Sequence, residues 1–278
     1  MELAGRLFLV GTPLGNLEDI TLRALRVLKE VDLIAAEDTR RTRALLSYYN
    51  IHKPLTSFHH HNRKEKGPVL IRRLQEGQDI ALVTDAGMPG ISDPGEDLVR
   101  EALGAGIEVI AVPGPSAVIT ALVVSGLPAG RFAFEGFLPR AGKERKERLA
   151  DLAYEERTLI LFEAPHRLTR TLKELLEAWG DRPVAVGREL TKKFETVFRG
   201  TLQEALKYFE ETPPRGECTL VVAGASREVP AFVPEEAALL VEALEKAGRP
   251  HKEALTMVAK FYGRPRREIY KACLSRKT

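Results

Sequence analysis

Short Val/Ile-rich runs that end in glycine-rich loops, alternating with amphipathic helical stretches, constrain this chain more than any other feature. Apolar runs at 7–10, 33–36, 80–84 and 109–112 are separated by helical patterns at 21–29, 40–49, 69–76 and 97–105. That is the βαβ rhythm of a parallel sheet. Gly77 and Gly106 stand where helix C-caps belong, and the apolar runs lack the polar alternation of a half-exposed strand, as strands covered on both faces should. After Pro113-Gly114-Pro115 the rhythm resumes, with strand-like runs at 131–137, 159–162, 184–186, 196–199 and 219–223 and helical patterns at 143–153, 168–179 and 202–211. Beyond Pro230 only helical patterns remain, at 235–246, 252–261 and 266–276. The expected class is α/β: one α/β domain over 1–114, a second over 115–228 with room for antiparallel strands, and a basic helical extension over 229–278.

A chain of 278 residues has ample core for two such domains. No window approaches the roughly 20 uninterrupted apolar residues of a membrane span. The start Met1-Glu2-Leu3-Ala4-Gly5 lacks the basic-then-apolar layout of a signal peptide. A cytoplasmic protein with no membrane contact is expected. Cys218 and Cys273 are the only cysteines, too few for a disulfide framework or a cysteine metal cluster. The net charge of +3 is small but unevenly spread: from 249 to 278 nine lysines and arginines, Arg264, Arg266, Arg267 and Lys271 among them, face only Glu253 and Glu268. A second basic run, 140–148, contains Lys143, Arg145 and Lys146. Such runs are solvated faces or contacts for a polyanion.

The loops carry the functional signal. Leu7-Phe8-Leu9-Val10 runs straight into GTPLGN (11–16), where a glycine lets the backbone turn sharply or approach a ligand. GTPLGN is neither G-x-G-x-x-G nor G-x-x-x-x-G-K-[ST], which argues against a dinucleotide or a nucleoside triphosphate. The run at 80–84 leads into TDAGMPGISDPG (84–95), with three glycines, two prolines and the carboxylates Asp85 and Asp93. An aspartate at the carboxyl end of a strand lies where α/β sheets bind ligands, although an Asx-turn is the structural alternative. His59-His60-His61 invites a metal reading, but neighbours on an extended segment point to opposite faces and no Asp/Cys cluster completes a site. No metal is expected, and His60, Asn62 and Arg63 are candidates for contact with a polyanion.

In order along the chain stand GTPLGN, AAEDTR (35–40), SFHHHN (57–62), TDAGMPGISDPG, VPGPSA (112–117), FEAPHR (162–167), RELTKKFE (188–195) and GECTLVVAG (216–224). This ordered set resembles the tetrapyrrole-methylase superfamily of S-adenosylmethionine enzymes. Within it the set is similar to the branch of small-subunit (16S) ribosomal RNA 2′-O-methyltransferases that act on a cytidine in the decoding region. The resemblance covers about residues 5 to 225. It implies a homodimer of two-domain chains with S-adenosylmethionine in the cleft between the domains, GTPLGN on the substrate side, and RNA of the small ribosomal subunit as partner. Cofactor contacts would fall on Val10 and Pro13, on Asp85, Gly87 and Met88, on Ser116 and Ala117, and on Phe162, Glu163 and the GECTL region.

Methyl transfer from a sulfonium is an in-line displacement in which positive charge on sulfur disappears, so positioning should dominate and backbone polar groups should suit the cleft better than dense charge. A ribose 2′-hydroxyl needs a base or cation nearby. The candidates are Glu37, Asp38, Glu189 and Lys192, each with an alternative as a helix cap, an ion-pair partner or a phosphate contact. His166 is a candidate for orienting its loop or pairing with RNA. Three functions remain open: an RNA 2′-O-methyltransferase, a methyltransferase on a corrin-like or other small acceptor, and a non-catalytic RNA-binding module. The basic helices favour RNA.

Overall fold

The computed structural model describes residues 4–214, 216–226 and 231–277. Met1 to Leu3, Pro230, Thr278 and the expected boundary at 228/229 lie outside the described residues. Strands β1 (Arg6–Val10), β2 (Leu33–Ala36), β3 (Leu55–Ser57), β4 (Ile80–Val83) and β5 (Glu108–Val112) form a parallel sheet in the order β3-β2-β4-β1-β5. Side chains alternate across it. Leu7, Leu33, Ala35, Ile80 and Leu82 pack under α3 (Arg63–Gln75) and α4 (Gly95–Gly104), while Phe8, Val10, Ile34, Ala36, Ala81 and Val83 pack under α1 (Leu22–Glu30) and α2 (Thr39–Tyr48). Every residue of β2 and β4 is buried, which is why these strands read as unbroken apolar runs.

The second sheet, β6 (Phe132–Phe137), β7 (Thr158–Glu163), β8 (Pro183–Arg188), β9 (Thr196–Thr201) and β10 (Cys218–Val222), runs in the order β6-β7-β10-β8-β9. Its β6–β7 pair is parallel and the other three pairs are antiparallel. Helix α5 (Ala117–Ser125) covers Ile160, Ala185 and Val221 on one face. On the other, α6 (Gly142–Leu152), α7 (Leu168–Trp179) and α8 (Leu202–Glu211) cover Leu161, Val186 and Leu220. Both sheets belong to one compact unit, Met1–Ala225, and Ser226–Thr278 form a second. In the second unit, α9 (Pro234–Lys246), α10 (His251–Phe261) and α11 (Arg266–Lys277) close around Val241, Leu255, Val258, Tyr262 and Ile269. Gly263, with φ +57°, makes the turn between α10 and α11.

One strand and one α-helix are absent from the sequence reading. Strand β3 is three residues long and only half-buried. Helix α5 is apolar around its whole circumference, so it shows no helical period. Helix α3 starts at Arg63 rather than 69 and runs through Pro68, a residue that reads as a helix stop.

The basic run at 140–148 is not the open cationic face that its charges suggest. Arg145 is buried, its Nε donating to Glu174 Oε2 (2.6 Å), Nη1 to the Pro139 carbonyl (2.8 Å) and Nη2 to Thr171 Oγ1 (2.8 Å). Arg148 pairs with Glu135 and Lys143 with Glu147. Burial alone would raise the Glu174 carboxyl, but the guanidinium groups of Arg145 and Arg170 outweigh it and hold Glu174 low. Arg145→Ala removes a buried charge with all its partners in place. It should lower unfolding free energy by about 3 kcal/mol, seen as a lower denaturant midpoint at unchanged slope, whereas Lys143→Ala should leave the midpoint within about 0.5 kcal/mol of the parent.

Candidate active site

Every loop that follows a strand of the parallel sheet emerges at the same edge, and three of these loops are locked together. The Gly11 N–H donates to the Val112 carbonyl (3.1 Å). Thr12 and Gly87 exchange both backbone hydrogen bonds (3.0 Å each), and Thr12 Oγ1 donates to the Thr84 carbonyl (3.1 Å). A Cβ on Gly11 would stand 2.7 Å from both Gly114 Cα and Met88 Sδ. Gly87 and Gly90 turn the β4–α4 loop at φ +86° and +89°. Asp93 closes that loop by accepting from the Gly90 (2.8 Å) and Gly95 (2.7 Å) amides. Burial, against the pull of those amides, nevertheless pushes its carboxyl up.

At the end of β2, Glu37 Oε2 accepts from Thr84 Oγ1 (2.7 Å). Asp85 Oδ1 accepts from the Asp38 N–H (3.0 Å), and its Oδ2 pairs with Arg41 Nη1 (3.2 Å). Burial, then the charge of Glu37, pushes Asp85 above the ordinary carboxylate range. Asp38 turns away to cap α2, accepting from the Arg40 N–H and guanidinium (both 2.8 Å). These bonds hold its carboxyl well below that range.

The facing wall comes from the second sheet. Glu163 is buried and fully engaged by Thr171 Oγ1 (2.6 Å), Arg167 Nε (2.6 Å) and the Ala164 N–H (2.8 Å). Phe162 packs against Phe134 and Phe137 with ring centroids 5.0 and 5.6 Å away. In the turn after β8, Glu189 and Thr191 adopt left-handed backbone, φ +52° and +66°, a conformation that costs a non-glycine residue energy. Glu189 Oε1 accepts from Lys192 Nζ (3.0 Å) and from the Glu217 N–H (3.1 Å). Burial would raise Glu189, but Lys192 and that amide outweigh it and hold the carboxyl low. Burial would lower Lys192, but Glu189 and Glu217 outweigh it and keep the ammonium charged. This turn touches the opposite wall: the Asn16 N–H donates to Thr191 Oγ1 (3.2 Å), and Gly15 lies flat on the Lys192 stem.

The resulting cleft of about 410 Å³ is lined by apolar Leu14, Ile91, Ala117, Phe162 and Leu190, and by Glu37, Asp85, Asp93, Glu163 and Glu217, with Arg41 as its cation. Five carboxylates against one guanidinium, among the described residues, make it a site for a cationic ligand with an apolar body. Dense charge was not expected there. The structure reconciles the two by giving Asp93, Glu163, Asp85 and Glu217 donors of their own. Cys218 and Thr219 complete the floor, and burial pushes the Cys218 thiol up to about 11.

Of the residues singled out in the sequence, Glu37, Asp85, Asp93, Ala117, Phe162 and Glu163 line this cleft, as do Glu217, Cys218 and Thr219 of the GECTL region. Val10 is buried in the sheet core, Ser116 occupies the N-cap position of α5, and Gly87 and Met88 support the loops from behind. Pro13 lines an adjoining hollow. Asp38, Glu189 and Lys192 are engaged with partners just outside the lining. Asn62 is held by Ser57 and His59, Arg63 pairs with Asp97, and His60, His61 and His166 are exposed. Among the described residues no group of three His, Cys, Asp or Glu is placed to hold a metal ion. Arg41, Thr84, Ile91 and Leu190 were missed; each lies in or beside a quoted motif, and of the four only Arg41 carries a charge, but it follows Arg40 in a basic stretch and does not stand out there.

A glycine-cornered cleft at the carboxyl edge of a parallel sheet, walled by a mixed one, has counterparts among known proteins. Residues 6–206 match the Tetrapyrrole (Corrin/Porphyrin) Methylases, and the chain belongs to that family. A solved structure, uroporphyrin-III C-methyl transferase from Thermus thermophilus complexed with S-adenyl homocysteine, shares the fold with TM-score 0.59 and 23% identity, over 79% of this chain and 97% of that one. Among curated relatives, the chain is 49% identical to "Ribosomal RNA small subunit methyltransferase I" of Synechocystis sp., over 97% of this chain and 98% of that one. It is 54% identical to the protein of the same name from Thermotoga maritima, over 79% of this chain and 99% of that one.

The locked loops give a contrast to measure. In Gly11→Ala the new methyl meets backbone and cannot be accommodated without moving the Gly11–Gly114 contact, so about 1–3 kcal/mol of stability should be lost. In Gly15→Ala it meets only the flexible Lys192 stem. Denaturant unfolding should show a clearly smaller loss for Gly15→Ala; equal losses would refute the locked-loop account.

Proposed function

We propose that the chain is an S-adenosylmethionine-dependent methyltransferase that modifies the ribose 2′-oxygen of a cytidine in 16S ribosomal RNA of the small subunit, acting in the cytoplasm as a homodimer. The observation that carries this reading is the nearly full-length match to the Synechocystis protein. The acidic, apolar-walled cleft fits the cofactor, whose cationic amino-acid part and sulfonium call for carboxylates and whose adenine calls for apolar walls. Ile91 and Phe137, each about half exposed at the cleft, supply apolar surface at its mouth. Ile119 and Val123, exposed one turn apart on α5, offer apolar area for a second copy.

When bound, S-adenosylmethionine supplies an electrophilic methyl group. Asp85 would hold its ammonium or ribose hydroxyls, Phe162, Leu190 and Ala117 would seat the apolar part, and Gly87 and Met88 would set the loop that carries Asp85. Glu37, in the lining and bonded only to neutral donors, the Thr84 hydroxyl (2.7 Å) and the Asp85 N–H (3.4 Å), is the residue we assign to take the 2′-hydroxyl proton. Asp38 is held too acidic by Arg40 to serve, and the Lys192 ammonium, with Glu189 neutralised against it, braces the wall.

The test is transfer of labelled methyl groups to small-subunit RNA, with the modified nucleotide mapped and then replaced by its 2′-deoxy form. Loss of labelling with the deoxy substrate supports ribose methylation, and equal labelling overturns it. In the same assay Asp85→Ala should weaken cofactor affinity by about tenfold to a hundredfold, the loss of a charge-assisted hydrogen bond. The sign with pH follows: Asp85 takes up its proton at a higher pH than an ordinary carboxyl. Parent affinity should therefore fall as the solution is acidified through that range, and calorimetry of the variant should show no such fall.

The second unit supports an RNA reading of its own. Ile269 and Ala272 are buried, while Arg266, Arg267 and Lys271 stand exposed around the remaining surface of α11 beside Tyr270. The Thermotoga protein is matched over 220 residues, 99% of its length, so a chain of the first unit's size carries the same name. The second unit would then add RNA affinity rather than chemistry. Replacing Arg266, Arg267 and Lys271 by Ala should reduce the salt slope of log RNA affinity by about two units and leave cofactor affinity at the parent value; a parent-like slope would exclude this face.

A further inference from the structure

Next to the cleft lies a second hollow of about 380 Å³, between the GTPLGN loop and α2. It shares Leu14, Arg41, Thr84 and Asp85 with the cleft, so the two are neighbours across one wall. On the loop side are Thr12, Pro13 and Leu17; on α2 the positions are Arg41, Ala44, Leu45 and Tyr48, spaced by three and four and therefore on one helix face. The walls are mostly apolar, with Arg41 as the cation at the shared end.

Tyr48 marks what such a hollow takes. Its side chain is 64% exposed at the rim, which burial does not explain. Its ring stands edge-on to that of Tyr49, with centroids 4.9 Å apart at 84°. Tyr49 in turn donates its hydroxyl to the Leu17 carbonyl (2.6 Å), tying the end of α2 to the loop. An aromatic face at the mouth of an apolar slot is a platform for a nucleobase. Arg40 and Arg43 stand exposed on the same helix, where the phosphates on either side of an inserted nucleoside would be met by cations.

We propose that this hollow holds the target nucleoside turned out of the RNA, with its base stacked on Tyr48 against Leu17 and Leu45 and its ribose at the wall shared with the cleft. That placement brings the 2′-oxygen to Glu37 and to the donor's side of Leu14 and Thr84. The assignment rests on the RNA reading above. Extrusion is needed because the 2′-hydroxyl of a stacked nucleotide cannot enter a cleft walled on both sides. Tyr48 is thus a substrate-stacking residue, and Arg41 is a positioning residue that sets Asp85.

The test uses the full chain, the RNA that it methylates, and that RNA carrying fluorescent pyrrolocytidine at the methylated position. Ala44 and Tyr48 are outside the cofactor cleft and exposed, so their variants should fold and bind S-adenosylmethionine as the parent does. Tyr48→Ala should raise the KM for RNA about tenfold, and Tyr48→Phe, which keeps the stacking face, should restore it. Ala44→Trp, which fills the hollow, should abolish transfer and the rise in pyrrolocytidine fluorescence that the parent produces on binding. Parent activity on RNA with all three variants parent-like overturns the assignment alone. No transfer to RNA by the parent, or transfer undiminished by a 2′-deoxy target, overturns the reading on which it rests.

Discussion

The contact between Gly11 and Gly114 decides the shape of everything around it. Two backbones meet there with no room for a single methyl group, and Met88 fills the remaining side. Because each of the three segments leaves a different strand of the parallel sheet, the contact fixes the separation of the strand ends as well as the loops. The Thr12–Gly87 pair then satisfies the amides that such a tight corner would leave unbonded. Side chains further along, Leu14 and Asp85 above all, inherit their positions from this junction rather than from contacts of their own.

Electrostatics at the cleft follow a second rule, that no carboxylate is left to face a ligand uncompensated. Asp93 is held by loop amides, Glu163 by Arg167, Asp85 by Arg41, and Glu189 with Glu217 by Lys192. An uncompensated cluster would shift its own protonation and would grip a cation too firmly to release its charge. The lining instead keeps a net acid character whose individual members are already restrained. Glu37 is the mildest case, bonded to the Thr84 hydroxyl and the Asp85 amide, both neutral donors.

Much of this was legible in the sequence, for definite physical reasons. Buried parallel strands such as Ile80–Val83 announce themselves because both faces are apolar, and the loops after them because glycine and proline punctuate them. Strand β3 has too few residues to show a period, and α5 hides because an apolar sheet covers a helix that is itself apolar throughout. In the cleft lining, Asp85 was legible from its position after a strand, and Phe162 from the family resemblance. Arg41 and Leu190 were not, since their roles depend on which face of α2 and which side of the turn after β8 point inward. The basic run at 140–148 misled because charge counts do not reveal that Arg145 points into the protein.

The thiol in the floor of the cleft has a consequence for selectivity. Among the described residues that line the cleft, Cys218 is the one thiol, and the ligand proposed for that cleft is an alkylating sulfonium. Burial keeps its proton on until about pH 11, and a thiol attacks carbon far more slowly than the thiolate does. Over the range in which the protein works, the wall therefore does not compete with the acceptor for the methyl group. Protection from self-alkylation is achieved here by withholding water from a sulfur atom, with no extra residue needed to shield it.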